Sequence, residues 1–371
     1  MNTMRKTVTT LSVASVACAL TGVAHAQSSV TLYGLIDGGL TYTTNQKGGQ
    51  TVQEMSGITQ GDRWGVRGIE DLGGGLHAVF VLESGYSVAN GTLGQGGLAF
   101  GRQAYVGLSS DHYGSVLLGR QYDQMVEQVS PVTTDQWSVL FEHPGDNDNT
   151  NRGFRVSNTI KYVSPTLSGA QFTAMYAPGG QPGSISADSV WSLGGHYQQG
   201  GLYAGAAFTH VDNPAALATG SFWTTANSAT GSFALASRAY EVFGAGASYK
   251  FGPTKLGGAF TQSTFKGGFG GEDVRFQNYE VNAAYHFTPA VFGGAAFVYT
   301  NGLADAGGIH PRYIQADLIL DDALSKRTDV YLMGTGQRAL GTAKFAQVSQ
   351  FLTASSSNEQ ATVAIGMRHR F

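Results

Sequence analysis

The sequence predicts an all-β chain, a 16-stranded antiparallel transmembrane β-barrel with an inward-folded third loop. Three observations carry that expectation. Beyond Ser28, short segments alternate apolar and polar residues with period two, as strands do when one face meets lipid and the other water. Their connections are tight on one side and long and polar on the other, the asymmetry of a barrel that crosses a membrane. No stretch beyond residue 26 reaches the ~18 consecutive apolar residues of a membrane-spanning helix. Glycine, 53 of 371 residues, argues against a helical fold, since each costs a helix about 1 kcal/mol relative to alanine.

Residues 1–26 read as a cleaved leader and 27–371 as one barrel domain. Arg5 and Lys6 form a charged start, Val8 to Ala19 is mostly apolar, and Ala24-His25-Ala26 is a small-x-small cleavage site. The single cysteine, Cys18, leaves with it, so ladder hydrogen bonds and burial must hold the fold without disulfides. Removing Arg5 and Lys6 leaves 20 basic against 25 acidic residues, a net charge of −5. That balance gives no basic surplus for nucleic acid.

Strand by strand, the faces separate. Val30, Leu32, Ile36, Leu40 and Tyr42 oppose Thr31, Tyr33, Asp37 and Thr41. Trp64 and Val66 oppose Arg63 and Arg67; Leu76, Ala78, Phe80 and Leu82 oppose His77 and Glu83. Val281, Ala283, Tyr285 and Phe287 oppose Glu280, Asn282 and His286, whereas the strand at 291–300 alternates poorly. Val363, Ile365, Met367 and Phe371 oppose Thr362, Ala364, Gly366, Arg368 and Arg370. Charges such as Arg63, Arg67, Glu83 and Glu280 are costly in a dry core and cheap in a water-filled lumen. Turn chemistry closes seven tight hairpins near 70–74, 109–114, 164–169, 198–201, 251–254, 287–290 and 324–328. Eight longer loops are expected at 44–56, 86–98, 121–152, 178–189, 212–236, 265–275, 301–311 and 337–358. Seven turns and eight loops require sixteen strands, an even count that puts both chain ends on the tight-turn side.

This register sends Arg63, Arg67, Arg102, Arg120, Arg155, Lys161, Arg368 and Arg370 to the lumen. Loop 121–152 has the opposite character, with Asp123, Glu127, Asp135, Glu142, Asp146 and Asp148 and no basic residue before Arg152. A loop this long inside a compact protein needs a function. Folded inward, it narrows the channel and sets acids across from a basic wall, creating a transverse field that screens permeants by charge and shape.

Several segments resemble the Gram-negative general porins of the neisserial and burkholderial type. They are Val30-Thr31-Leu32-Tyr33-Gly34, Arg63-Trp64-Gly65-Val66-Arg67-Gly68-Ile69-Glu70-Asp71-Leu72-Gly73, Phe100-Gly101-Arg102-Gln103-Ala104-Tyr105-Val106-Gly107-Leu108, Gly119-Arg120-Gln121, Asn158 to Pro165, Leu324 to Thr328 and Phe371. The resemblance implies a homotrimer in the cell outer membrane, in contact with lipid and lipopolysaccharide, passing small hydrophilic solutes and ions through loop-constricted pores. It implies no enzyme activity and no cofactor. It makes Arg63, Arg102 and Arg155 the basic wall cluster, extended by Arg120, and Phe371 part of the signal read by the barrel-insertion machinery. Asp37, Arg67, Glu83, Lys161 and Arg368 are further lumen candidates. The chain lacks the Pro-Glu-Phe-Gly-Gly loop motif of enterobacterial porins and carries Leu35 where some have lysine. Asp123, Glu127 and Asp135 are the acids expected to face the arginines.

Other classes find less support. A barrel hydrolase needs a nucleophile beside a histidine, and His210 with Asp212 is the sole close His/Asp spacing worth noting, without a nucleophile motif. Asp146-Asn147-Asp148-Asn149 resembles part of a calcium loop but lacks its glycine and closing glutamate. An adhesin role for the long loops has no repeat or binding signature behind it.

Overall fold

Alternation along the chain becomes one closed sheet in the computed structural model, which describes residues 28–371 apart from 219 and 305–307. The leader expected at 1–26 lies outside the described residues. Seventeen segments form the sheet: β1 (Ser29–Gln46), β2 (Gly49–Ser56), β3 (Arg63–Gly73), β4 (Leu76–Gly85), β5 (Gln103–Ser110), β6 (Gly114–Gln121), β7 (Val156–Val163), β8 (Ala170–Ala177), β9 (Val190–Gln199), β10 (Leu202–Asp212), β11 (Ala239–Phe251), β12 (Thr254–Phe269), β13 (Glu272–His286), β14 (Val291–Ala304), β15 (Pro311–Ala323), β16 (Thr328–Gly341) and β17 (Glu359–Arg370). β2 and β3 share one barrel position, because both pair with β1, through Gly38–Gln46 and Ser29–Leu35 respectively. The barrel therefore has sixteen strands, each antiparallel to its neighbours. It closes where Leu35–Thr43 of β1 pairs with Thr362–Arg370 of β17.

Two expected loops are strands instead. Segment 44–56 continues β1 to Gln46, turns at Lys47 and Gly48, and returns as β2; segment 265–275 turns only at Gly270 and Gly271. All four turn residues have positive φ, between 53° and 98°, as a two-residue hairpin of the right twist requires. At these strand ends Met55, Phe265 and Val274 are buried in the interior clusters, so the alternation that reports lipid on one face and water on the other is absent there. The poorly alternating strand is β14, in continuous register with β13 from Val274–Ala304 to His286–Phe292.

Between β2 and β3 the chain leaves the wall at 57–62. Asp37 holds this inward excursion, accepting hydrogen bonds from Thr59 N (2.7 Å), Gln60 N (2.8 Å), the Tyr331 hydroxyl (2.5 Å) and the Thr59 hydroxyl. The excursion carries Ile58, fully buried, into the interior.

Two apolar clusters fill the inside, and the third long loop contributes to both. Met125, Val129 and Phe154 pack on Ala207, Tyr240, Val242, Phe265 and Phe276. Val139, Leu140 and Phe141 pack on Ile58, Ile319, Tyr331, Met333 and Val348. Burial of these side chains inside the barrel, at ~1.5–3 kcal/mol each, is what draws the loop inward.

Candidate functional site

The site forms where the loop crosses a basic stripe on the wall. Arg63 opens β3 opposite Gly85, Glu83 pairs with Gln103 across β4 and β5, and Arg120 pairs with Ala104 across β5 and β6. Period two turns Arg63 and Glu83 to one interior face, and side-chain hydrogen bonds bring Arg102 and Arg155 to the same region. Arg102 and Arg155 each stand one residue ahead of their strands, β5 and β7.

Arg102 Nε donates to Glu83 Oε1 at 2.8 Å, and the Tyr33 hydroxyl donates to Glu83 Oε2 at 3.0 Å. The Tyr122 hydroxyl accepts from Arg102 Nη2 (3.0 Å) and Arg155 Nη2 (3.4 Å), with the Arg155 guanidinium 5.1 Å from the ring centre. Burial pushes the Tyr122 phenol up, but Arg102 and Arg155 together pull it down to about 8. Arg63, Arg102, Arg152 and Arg155 line a cavity of about 540 Å³ together with Glu54, Asp62 and Asp135. Arg120 turns aside to brace backbone, donating to Gly101 O (2.8 Å) and Arg155 O (3.3 Å) and to the Ser157 hydroxyl (2.8 Å).

Among the three acids expected opposite the arginines, Asp135 lines the cavity and the other two do not. Asp123 is buried, accepting from Val126 N (3.1 Å) and Asn149 Nδ2 (3.1 Å) within its own loop. Glu127 pairs with Lys161 at 2.5 Å. Arg67 lies over the Tyr33 ring at 5.4 Å. Arg368 and Arg370 meet Asp329 at 3.0 and 2.9 Å near the tight-turn end, far along the strands from the cavity. Phe371 seats against β1, exchanging backbone hydrogen bonds with Gly34 at 3.0 and 3.2 Å.

The loop is clamped to the wall facing the arginines. His143 Nδ1 meets Asp148 at 2.7 Å and Nε2 meets Glu280 of β13 at 3.0 Å, with all three side chains fully buried. Burial alone would strip the His143 proton, yet Asp148 and Glu280 outweigh it and hold the ring protonated well above its usual range. Glu280 also accepts Thr134 N at 3.0 Å, and Asn147 donates to Asn278 at 3.2 Å. At the tip, Val139 N and the Ser138 hydroxyl donate to Ile58 O, at 2.9 and 2.8 Å. Burial raises Asp123 and Asp135 to about 6, and Glu142 and Asp146 well above the carboxylate range, with Asp146 adding repulsion at Glu142 and Asp148 adding it at Asp146.

A family model described as Gram-negative porin matches residues 12–339. The chain is a Gram-negative porin. An outer membrane porin protein of Bordetella pertussis is 30% identical over 98% of this chain and 99% of its own length. Among solved structures, an anion-selective porin from Comamonas acidovorans superposes with TM-score 0.73 at 25% identity, over 93% of this chain and 100% of that one. The trimer form of OmpT from Vibrio cholerae shares the fold, with TM-score 0.69 and 14% identity over 93% of this chain and 99% of that one.

Sequence reasoning missed five of the porin's cavity and clamp residues, Glu54, Asp62, Tyr122, His143 and Arg152. Tyr122 and Arg152 fall in irregular chain, where no period points a side chain. His143 stood among many acids, and its partner Glu280 is 137 residues away. The one signal was a lone histidine in an acidic loop. The rival pair, His210 and Asp212, is in contact at 3.0 Å, but the other ring nitrogen faces Glu241 at 3.4 Å. Both nitrogens meet carboxylates, so neither is left to activate a nucleophile. In the calcium-like segment Asp148 accepts from His143, Thr261 and Thr150, and Asp146 Oδ1 accepts from Asn151 N while its Oδ2 is buried without a hydrogen-bond partner among the described residues.

Proposed function

We propose that this outer-membrane porin is a trimeric channel for passive diffusion of small hydrophilic solutes, with a preference for anions. One observation carries the reading: four arginines line the narrowed cavity against three acids, Glu54, Asp62 and Asp135, while Asp123, Glu127, Glu142, Asp146 and Asp148 are buried or paired away from it. Fixed cations in a low-dielectric constriction raise the local anion concentration and speed entry. The loop sets the size limit by occupying the interior. Anion selectivity in the Comamonas relative and the trimeric form of the Vibrio structure support the two finer points. Phe371, sealed into the barrel seam, fits a role in assembly.

Planar-bilayer recording of the refolded protein in a salt gradient tests this. Three equal closing steps and a reversal potential on the anion side are expected. Replacing Arg63, Arg102 and Arg155 by glutamine, with Arg152 added as a fourth, is expected to move the reversal potential stepwise toward cations. An unchanged reversal potential in the fourfold variant removes these residues from the constriction.

A further inference from the structure

A second cleft lies inside the barrel at its tight-turn end, where four strands meet their hairpins. Lys250 and Lys255 flank the turn between β11 and β12, and His286 and Phe292 flank the turn between β13 and β14. Tyr249 and Leu256, next to the two lysines in the chain, are about half exposed on the lipid face, so period two sends both lysines to the lumen. Lys255 bears this out, donating from Nζ to Pro131 O of the third loop at 3.4 Å. Trp137 of the same loop meets the Phe292 ring edge-on, with 6.3 Å between centres. It lies over Gly294, where an added methyl would stand 2.7 Å from the indole. These groups enclose about 240 Å³. The cleft shares no residue with the arginine cavity: Gln136 lines one and Trp137 the other. The third loop thus stands between two chambers of the lumen.

Two features of this chamber call for a ligand. Lys250 stands directly opposite Lys255 in the β11–β12 ladder, and like charges so placed repel. Among the described residues the lysines in ion pairs are Lys161 and Lys266; Lys250 and Lys255 have no carboxylate partner. The lumen acids of the neighbouring strands, Asp321 and Asp329, face Arg368 and Arg370 instead. The second feature is an aromatic wall beside this unpaired charge. Trp137 and Phe292 both line the cleft, and the His286 ring stands 5.9 Å from that of Phe292. Two cations next to ring surface match a flat organic anion better than a bare inorganic one. A cavity of about 150 Å³ accepts benzene, so this one has room for a single ring and its carboxylate.

We propose that this cleft is an exit-side binding site for small aromatic carboxylates, with the ring against Trp137 and Phe292 and the carboxylate on Lys250 and Lys255. A solute leaving the arginine cavity passes the third loop and finds a second station before the tight-turn mouth. The inference rests on the reading that solutes cross this lumen and is independent of the ion preference set at the constriction.

Calorimetric titration of benzoate and of acetate into the refolded protein in detergent tests this, because it reads binding without current. Benzoate is expected to bind about tenfold or more tightly than acetate, through burial of its ring. Lys250→Gln with Lys255→Gln, and separately Phe292→Ala, are each expected to weaken benzoate by about tenfold. These variants act on opposite sides of the cleft, so if one fails to fold the other decides. The variant with Arg63, Arg102 and Arg155 replaced by glutamine is expected to keep this benzoate site. Equal affinity for the two anions, unchanged benzoate affinity in the cleft variants, or a loss confined to the arginine variant overturns the proposal. Ion preference is read separately from reversal potentials, so the two readings fail independently.

Discussion

Tyr122 and Asp135 set the pore's charge from opposite ends of the pH scale. The phenol sits between Arg102 and Arg155, with Arg63 and Glu83 as the next charges around it, and titrates near about 8. Above that pH a phenolate adds one negative charge among the guanidiniums. Asp135, raised to about 6 by burial and by Asp148 against the opposing pull of His143, loses its charge below that pH. The anion preference should therefore be largest below pH 6, intermediate near 7 and smallest above 8. Tyr122→Phe is expected to erase the upper step and Asp135→Asn the lower one in reversal potentials recorded across this range. Asp135 was among the loop acids expected opposite the arginines and does line the cavity, whereas Tyr122, in irregular chain, was not legible in the sequence. The wall arginine Arg63 was, because strand period two fixes the side a residue faces; Arg102 stands one residue ahead of β5, and its hydrogen bond to Glu83 sets its direction. Arg120 shows the limit of that rule: period gives a direction, while hydrogen bonding to Gly101 and Ser157 decides where a long side chain ends.

At the level of elements, the His143 clamp is what keeps the third loop across the lumen. His143 has its pKa raised and Asp148 its pKa lowered. The histidine's contribution is complete below the free pKa of about 6.5 and is lost as pH rises through its higher folded value; that of Asp148 is complete above about 3.9 and lost on acidification. The clamp is thus strongest between about pH 4 and 6.5 and loosens on the alkaline side. His143→Gln leaves two buried carboxylates without their cation and should cost about 3–5 kcal/mol, read as a lower urea midpoint and noisier single-channel current. The seam is a second sensitive element. At Gly34 an added methyl would lie 2.6 Å from Arg63 O and about as close to the Phe371 ring. Gly34→Val is expected to destabilise by about 1–3 kcal/mol through overpacking, seen as a lower heat-dissociation temperature on gels. Strand identity was readable wherever one face meets lipid. It failed at 44–56 and 265–275, where buried residues such as Met55, Phe265 and Val274 face inward, and the excursion at 57–62 left no mark because its cause, Asp37, reads as an ordinary lumen polar residue.

For the whole molecule, formal charge is a poor guide to the pore. The sequence from residue 27 onward counts as −5, yet the acids that produce this number are largely paired or buried away from the cavity, while the arginines stay on it. Selectivity follows the local field. One further feature, the closure of β1 on β17, governs how such a molecule comes into being. The hydroxyls of Thr43 and Thr362 meet at 3.0 Å although 319 residues separate them. Closing so large a loop makes folding slow by topology. Until that seam forms, β1 and β17 are bare edges able to template pairing between chains. The polypeptide must therefore be kept apart from its own copies through synthesis and transit, and the rate of delivery to the membrane, more than the final stability, should limit how many intact barrels a cell obtains.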